Sequence, residues 1–435
     1  MPAAQELPTE ILCSIFELSA LVLISLAAPD TRPGHQHPPA PIASTSTPVD
    51  IGATAATDTV DSYALPSQKD YFMQCITLSH VCSRWRYIAI DFHTLWTRIH
   101  LGRNAFGNNS INGIEAEETT SQFFSRSADL LIYLDISPQS PVFSYSSESI
   151  NRALLPHVTR FNSLRLICSE AFIAGVLDVF LERNLNLLDE ASYTPLSHLH
   201  LARTQSNTVE DNPDTMKPFF PPDLSVISPH LRTLHVEGVQ IAVFPKWRLE
   251  YVVLKNTFLS YRNHFHLLSS TRTQKLVLHQ ITIPDGTPHV RLRARQISSS
   301  VVSLTFSELR CIGGEDQHKN MYTTFFSLSF YHNLQELEIS RLSREAMSAL
   351  IDTLGTNPLV ALNDLRRLVL REVKINRHAV GAMADALPSV RNMVLDNVEG
   401  SSKLVHDIWQ QDNAVWPQLV EIIVDGKAVG RYTSN

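Results

Sequence analysis

A six-residue pattern, apolar-x-x-apolar-x-apolar, begins at Trp96, Leu131, Phe161, Leu196, Leu231, Leu249, Thr273, Val301, Leu334, Leu365, Val390 and Leu419, with Thr273 a polar substitute in the first position. Steps between successive starts run from 18 to 35 residues. Its last two apolar positions are two apart, the period of a strand that buries one face. Three positions alone would match by chance on the order of ten times in a chain of this apolar content, so the continuation decides. A chain turning off a buried strand keeps pointing inward at the ninth and eleventh positions. "LRTLHVEGVQI" from Leu231, "VVSLTFSELRC" from Val301 and "LRRLVLREVKI" from Leu365 fill all five slots, while "LEYVVLKNTFL" and "TQKLVLHQITI" each fill four. Helical spacing follows several units: Met347, Leu350, Ile351 and Leu354 before Gly355, and Val380, Met383, Ala384 and Leu387 before Pro388. The fold class is therefore α/β, strand and helix alternating at roughly 30 residues, with each unit too small to bury its own apolar face.

The N-terminal hundred residues read differently. In "ITLSHVCSRWRYIAI", Ile76, Leu78, Val81, Cys82, Trp85, Ile88 and Ala89 recur at steps of three and four, which predicts one amphipathic helix needing a partner. A second short stripe, Ile11, Ile15 and Leu18 with Leu12 and Phe16 beside it, follows Pro8, a residue suited to a first helical turn. The two are expected to pack on one another, with Trp85 also meeting Leu95 and Trp96. Between them runs a Pro-, Ala-, Ser- and Thr-rich stretch with no Phe, Trp or Tyr from Glu17 through Ser62. Such composition buries too little apolar surface to offset its ordering entropy, so a disordered insertion is expected at about 19–70. Closing a loop of that length costs roughly 1 kcal/mol more than a short turn.

The formal charge is −7, from 36 basic and 43 acidic residues, which gives no general pull toward nucleic acid or anionic lipid. Arg291, Arg293 and Arg295 alternate as one face of a strand would. Five cysteines at irregular spacing, with no paired metal motif, suit a reduced compartment, cytoplasmic or nuclear. Residues 11–28 are apolar enough to raise a membrane or signal segment, but no Lys or Arg precedes Arg32. No GxSxG, HExxH, Walker or GxGxxG motif is present, so no catalytic residue, cofactor or metal ligand set is expected. His198 and His200 flank Leu199 without further ligands at a suitable spacing, and Cys82 reads as small core filler.

The order Leu7-Pro8-x-Glu10-Ile11-Leu12-x-x-Ile15-Phe16, then Leu78-Ser79-x-Val81-Cys82-x-x-Trp85-Arg86-x-Ile88-Ala89, then Leu95-Trp96, resembles the F-box. That resemblance implies a three-helix motif over residues 1–101 that docks on the Skp-type adaptor of cullin ubiquitin ligases. Its adaptor contacts would be Leu7, Pro8, Glu10, Ile11, Leu12, Ile15, Val81, Cys82 and Trp85. The insertion departs from the short connection usual there. Residues 102–435 resemble an irregular leucine-rich-repeat solenoid, with parallel strands on a concave face and helices and loops outside. The ninth position departs from that family's Asn or Cys, holding Val239, Thr257, Ile281, Leu309, Leu342, Val373 and Val398, so less regular turns are expected. Together the two halves are similar to the F-box-like proteins of mushroom-forming fungi.

The outward-facing fifth position reads His100, Asp135, Arg165, His200, His235, Val253, Val277, Thr305, Glu338, Val369, Val394, Ile423, polar first and then largely aliphatic. The expected target-binding surface is this column and its neighbours, carried by His198, His200, His235, Tyr251, Val253, Val277, Glu338 and Arg367, with an exposed apolar half. The expectation is a substrate receptor with no enzymatic step of its own, bound to a Skp-type adaptor and through it a cullin, and holding a protein target. Neither nucleic acid nor membrane is an expected partner. Two alternatives stand beside it: a leucine-rich-repeat scaffold independent of ubiquitin ligation, and a membrane-tethered or secreted enzyme.

Overall fold

The computed structural model describes residues 8–15, 68–101, 113–137, 147–185, 195–204, 230–239, 249–259, 273–283, 297–298, 300–311, 322, 329–331, 333–356, 362–375, 377–410, 416 and 418–431. The Pro-rich stretch, the apolar residues beyond Ile15 and the three alternating arginines lie outside the described residues. Among the described residues, no helix is long and apolar enough to cross a membrane.

Every repeat of the apolar pattern produces a strand. These are β1 Arg98–Leu101, β2 Ile132–Ile136, β3 Phe161–Cys168, β4 His198–Arg203, β5 Thr233–Glu237, β6 Tyr251–Lys255 and β7 Lys275–His279. Two short strands, β8 Thr282–Ile283 and β9 Ile297–Ser298, precede β10 Ser303–Ser307. Two more, β11 Arg310–Cys311 and β12 Ser329–Phe330, precede β13 Glu336–Ser340. The series closes with β14 Arg367–Arg371, β15 Asn392–Asp396, β16 Glu421–Val424 and β17 Lys427–Arg431. One open thirteen-stranded sheet runs in the order β1-β2-β3-β4-β5-β6-β7-β10-β13-β14-β15-β16-β17, parallel throughout except for its last pair. The short strands form two further parallel pairs, β8 with β11 and β9 with β12.

The pattern's inward positions carry the core. Leu231, Leu234, Val236 and Val239 are buried, as are Leu334, Leu337, Ile339 and Leu342, and the same holds unit after unit. They share one buried cluster with Phe123 of α4 (Gly113–Arg126), Ile150 of α5 (Ser147–Leu154) and Phe180 of α6 (Glu170–Leu185). Leu350 of α7 (Arg344–Thr356), Met383 of α8 (Arg377–Ala386) and Ile408 of α9 (Ser401–Gln410) belong to it too. Helices α4, α5 and α6 pack in sequence, as do α7 and α8, and all share the buried cluster with the apolar face of the sheet. One unit departs from the expected phase: Leu131 is exposed and Ile132 is buried in its place, with an irregularity in the β2–β3 register between Ile132 and Tyr133.

The turns are more regular than the missing Asn or Cys led one to expect, because the backbone one residue earlier supplies the order. Gly238, Asn256, Gln280, Glu308, Arg341, Glu372 and Asn397 each follow a strand, and each has φ between 46° and 65°. This left-handed residue turns its N–H toward the next strand. Gly238 donates to the Lys255 carbonyl at 3.0 Å, Asn256 to His279 at 2.9 Å, Gln280 to Ser307 at 3.0 Å and Glu308 to Ser340 at 3.3 Å. Arg341 donates to Arg371 at 3.1 Å and Glu372 to Asp396 at 2.9 Å. At the end of the series the Asp425 carboxylate accepts the Asn397 N–H at 2.8 Å instead. Side chains tie the same column together. Gln280 donates to Glu308 at 2.8 Å, and Arg341 bridges Glu308 at 3.4 Å and Glu372 at 2.9 Å. Those carboxylates, Glu372 first, hold the Arg341 pKa above its ordinary value.

Glycine at 238 suits its φ of +65° without strain and avoids a tight contact, since a Cβ there would lie 3.3 Å from the Arg203 Cβ. Asn256 tests the column gently. Asn256→Gly is expected to be neutral or slightly stabilising, while Asn256→Val, β-branched in the left-handed region, lowers stability by about 1–3 kcal/mol. Urea titration of the two variants checks the sign. The antiparallel close comes from Asp425-Gly426, both at positive φ (46° and 76°), a two-residue hairpin turn between β16 and β17.

Candidate functional site

Two surfaces collect the residues singled out by the sequence, and the first is built from short helices. Residues 9–15 form α1, whose first turn closes with the Ile11 and Leu12 N–H groups donating to the Pro8 carbonyl at 3.1 and 3.2 Å. The single helix expected across 76–90 is in fact two, α2 (Gln68–Ser79) and α3 (Ser83–Asp91). The break lies at His80–Cys82. Cys82 is extended (φ −158°), and its Sγ accepts the Trp85 N–H at 3.5 Å, capping α3. Arg86 donates back to the Ser79 carbonyl at 3.1 Å, satisfying an orphan acceptor at the end of α2. Cys82 is thus a half-buried helix cap, which corrects its reading as core filler.

Leu12, Cys75, Ile88, Ala89, Leu95 and Trp96 are buried in the common cluster, with Cys13, Ile15, Ile76, Leu78 and Trp85 packed partly against it. Leu12 of the first segment thus belongs to the same buried cluster as Cys75, Ile88 and Ala89 of the second. The buried aromatic anchor is Trp96, not the half-buried Trp85. Its indole donates to the Ala89 carbonyl at 2.7 Å, its ring stacks on Phe123 at 5.9 Å, and the Arg126 guanidinium lies 4.6 Å over it. Burial lowers the Arg126 pKa.

Of the expected adaptor contacts, Pro8, Glu10, Ile11 and Val81 are exposed, Ile11 at 47% and Val81 at 53%. Leu7 lies outside the described residues. Leu12 is fully buried, which removes it from the contact set, because a side chain with no accessible surface cannot face a partner. The exposed aromatic that sequence reasoning passed over is Tyr87, which steps off the buried Ile88–Ala89 side of α3.

The second surface is the sheet face opposite the helices. The fifth positions form one continuous cross-strand ladder, His100 to Asp135 to Arg165 to His200 to His235 and on to Val253 and Val277. It continues through Thr305, Glu338, Val369, Val394 and Ile423. In its polar half the buried Asp135 carboxylate meets His100 Nδ1 at 3.1 Å and Arg165 at 3.2 Å. His200 and His235 stack at 3.9 Å with their planes 4° apart. Burial, then the neighbouring His235, Arg165 and Lys255, hold the His200 pKa well below its ordinary value. His198 is exposed on the adjoining row, its pKa lowered by burial and by Arg232.

The apolar half is not exposed. Val253 and Val277 are each 3% accessible and Val369 is 1%, so the first two leave the expected contact set. Branched side chains at strand spacing pack edge to edge, and the flanking rows rise beside them. Those rows are what solvent meets. Tyr251 sits under the Lys275 ammonium at 5.7 Å, Glu336 pairs with Arg367 at 2.6 Å, and Arg371 reaches both Glu338 at 2.9 Å and Asp396 at 3.2 Å. The face is therefore a charged surface over a largely buried aliphatic floor. Cys168, whose thiol pKa is pushed up first by burial and then by Asp135, donates to the Ile136 carbonyl at 3.4 Å.

In comparisons with known proteins, no family model and no curated protein matches this chain.

Proposed function

We propose that this protein is the substrate-receptor subunit of a Skp–cullin–F-box type ubiquitin ligase. The observation that carries the reading is the N-terminal helical unit. The F-box order of residues falls on α1, α2 and α3, which close around Leu12, Cys75 and Ala89, while Ile11 and Val81 stay outside. Large apolar side chains left exposed on a unit that buries its other apolar groups mark a docking knob. The sequential parallel series is read as an irregular leucine-rich-repeat solenoid that holds a target protein on its charged face, with His198, His200, His235, Tyr251, Glu338 and Arg367 as recognition residues. The protein itself performs no covalent step. The adaptor brings the cullin, and the complex works in the cytoplasm or nucleus.

Affinity purification of the full chain from its native cell, with mass spectrometry of partners, tests this directly. Adaptor and cullin are expected. The pair Ile11→Asp and Val81→Asp should cut adaptor capture about 30-fold or more, the loss of at least about 2 kcal/mol expected for centrally placed contacts. Circular dichroism should stay unchanged, because both sites are exposed. Partners recovered without adaptor or cullin would favour the ligase-independent scaffold.

A further inference from the structure

The stacked histidines stand where the polar half of the ladder meets its valines. His200 on β4 and His235 on β5 are direct cross-strand partners, so adjacent parallel strands hold their rings face to face. Two residues along β5, on the same face of the sheet, Glu237 brings its Oε2 to 3.9 Å from His235 Nε2. The ligand atoms of the three residues all lie within 4.8 Å of one another. His200 Nε2 is sealed from solvent and makes no hydrogen bond within the protein. A buried ring nitrogen in that position has given up its water with no return, the situation that a bound ion or group relieves.

From this geometry we infer that His200, His235 and Glu237 form a binding site for a divalent late first-row cation of the zinc class, leaving a fourth position for water or a group from a bound partner. Two imidazoles and one carboxylate are a donor set for zinc, cobalt or nickel rather than for magnesium or calcium, which take oxygen ligands. An ion about 2.0–2.1 Å from each nitrogen needs its ligand atoms roughly 3.3 Å apart, so the parallel rings must converge. Rotation about χ2, a broad torsion in histidine, supplies that movement.

The charge around the site is mixed. Arg165 and Lys255 oppose any added positive charge. Arg165 is partly answered by Asp135 at 3.2 Å, and Glu237 brings one negative charge into the site itself. That opposition acts on every divalent ion alike, so the two imidazole nitrogens, not the field, select the late first-row ion. The site is independent of the N-terminal helices.

The test uses the full chain stripped of metal, titrated with Co2+ and followed by visible absorption. The expected result is the d–d spectrum of a four-coordinate nitrogen–oxygen site, saturating at one equivalent, displaced by Zn2+ and untouched by Mg2+. His235→Phe keeps a ring in the stack but removes the ligand atom, and Glu237→Gln changes a partly exposed side chain without altering its size. Each should weaken Co2+ binding about tenfold or more with native circular dichroism. No saturable band in the wild type would overturn the inference. So would a band that persists unchanged in both variants, which would place the ion elsewhere. Adaptor capture by His235→Phe should match wild type, so failure here and failure of the ligase reading are separate results.

Discussion

Trp96→Ala is expected to lower stability by about 3–5 kcal/mol, the cost of emptying a fully buried aromatic site. Trp96 is 0% accessible and links three parts of the chain. Its indole is bonded to α3 through Ala89, its face stacks on Phe123 of α4, and its own segment leads into β1. With total stabilities of about 5–15 kcal/mol, losing this anchor should detach the N-terminal helices before the sheet melts. The measurement is urea unfolding followed by near-ultraviolet circular dichroism, with limited proteolysis to locate the loosened part. Trp96→Phe keeps the stack and loses the hydrogen bond, so it should cost about 1–3 kcal/mol. Equal damage from Trp85→Ala would contradict this picture, because Trp85 is only partly covered.

Arg341→Pro should be comparably severe, about 3 kcal/mol or more, though its side chain lies at the edge of the sheet. Proline cannot adopt a φ near 52°, and it removes the N–H donated to the Arg371 carbonyl. The ion pairs to Glu308 and Glu372 go with it. Arg341→Gly separates these causes. Glycine relieves the left-handed strain by about 1 kcal/mol and loses only partly exposed ion pairs worth little each, so it should leave the unfolding midpoint nearly unchanged. A large loss in the glycine variant would mean that charge, not backbone, organises the turn.

Strand positions were legible from sequence because burial at the first, fourth and sixth positions carries their energy, and Leu234 with Val236 or Leu368 with Leu370 shows it plainly. The helix break at His80–Cys82 was not, since apolar spacing runs through it unbroken and a cysteine thiol is an unusual cap. The turn column was hidden for a related reason. Gln280, Glu308, Arg341 and Glu372 carry no turn signature, and only Gly238, Asn256 and Asn397 are residues that tolerate the left-handed region readily. Asp425-Gly426 was a readable hairpin signal that the apolar pattern overshadowed. On the sheet face opposite the helices, the fifth-position column already set His200 beside His235. Glu237 stayed out of view because it belongs to the neighbouring row, and the valines looked exposed because alternation alone says which way a side chain points, not what closes over it.

After each of β5, β6, β7, β10, β13 and β14 the left-handed residue fixes alignment with the following strand by one backbone bond. Units in that series that differ by as much as fifteen residues, between steps of 18 and 33, therefore deliver their strands in the same phase. The length and composition of a connector are thereby uncoupled from the register of the strands it joins.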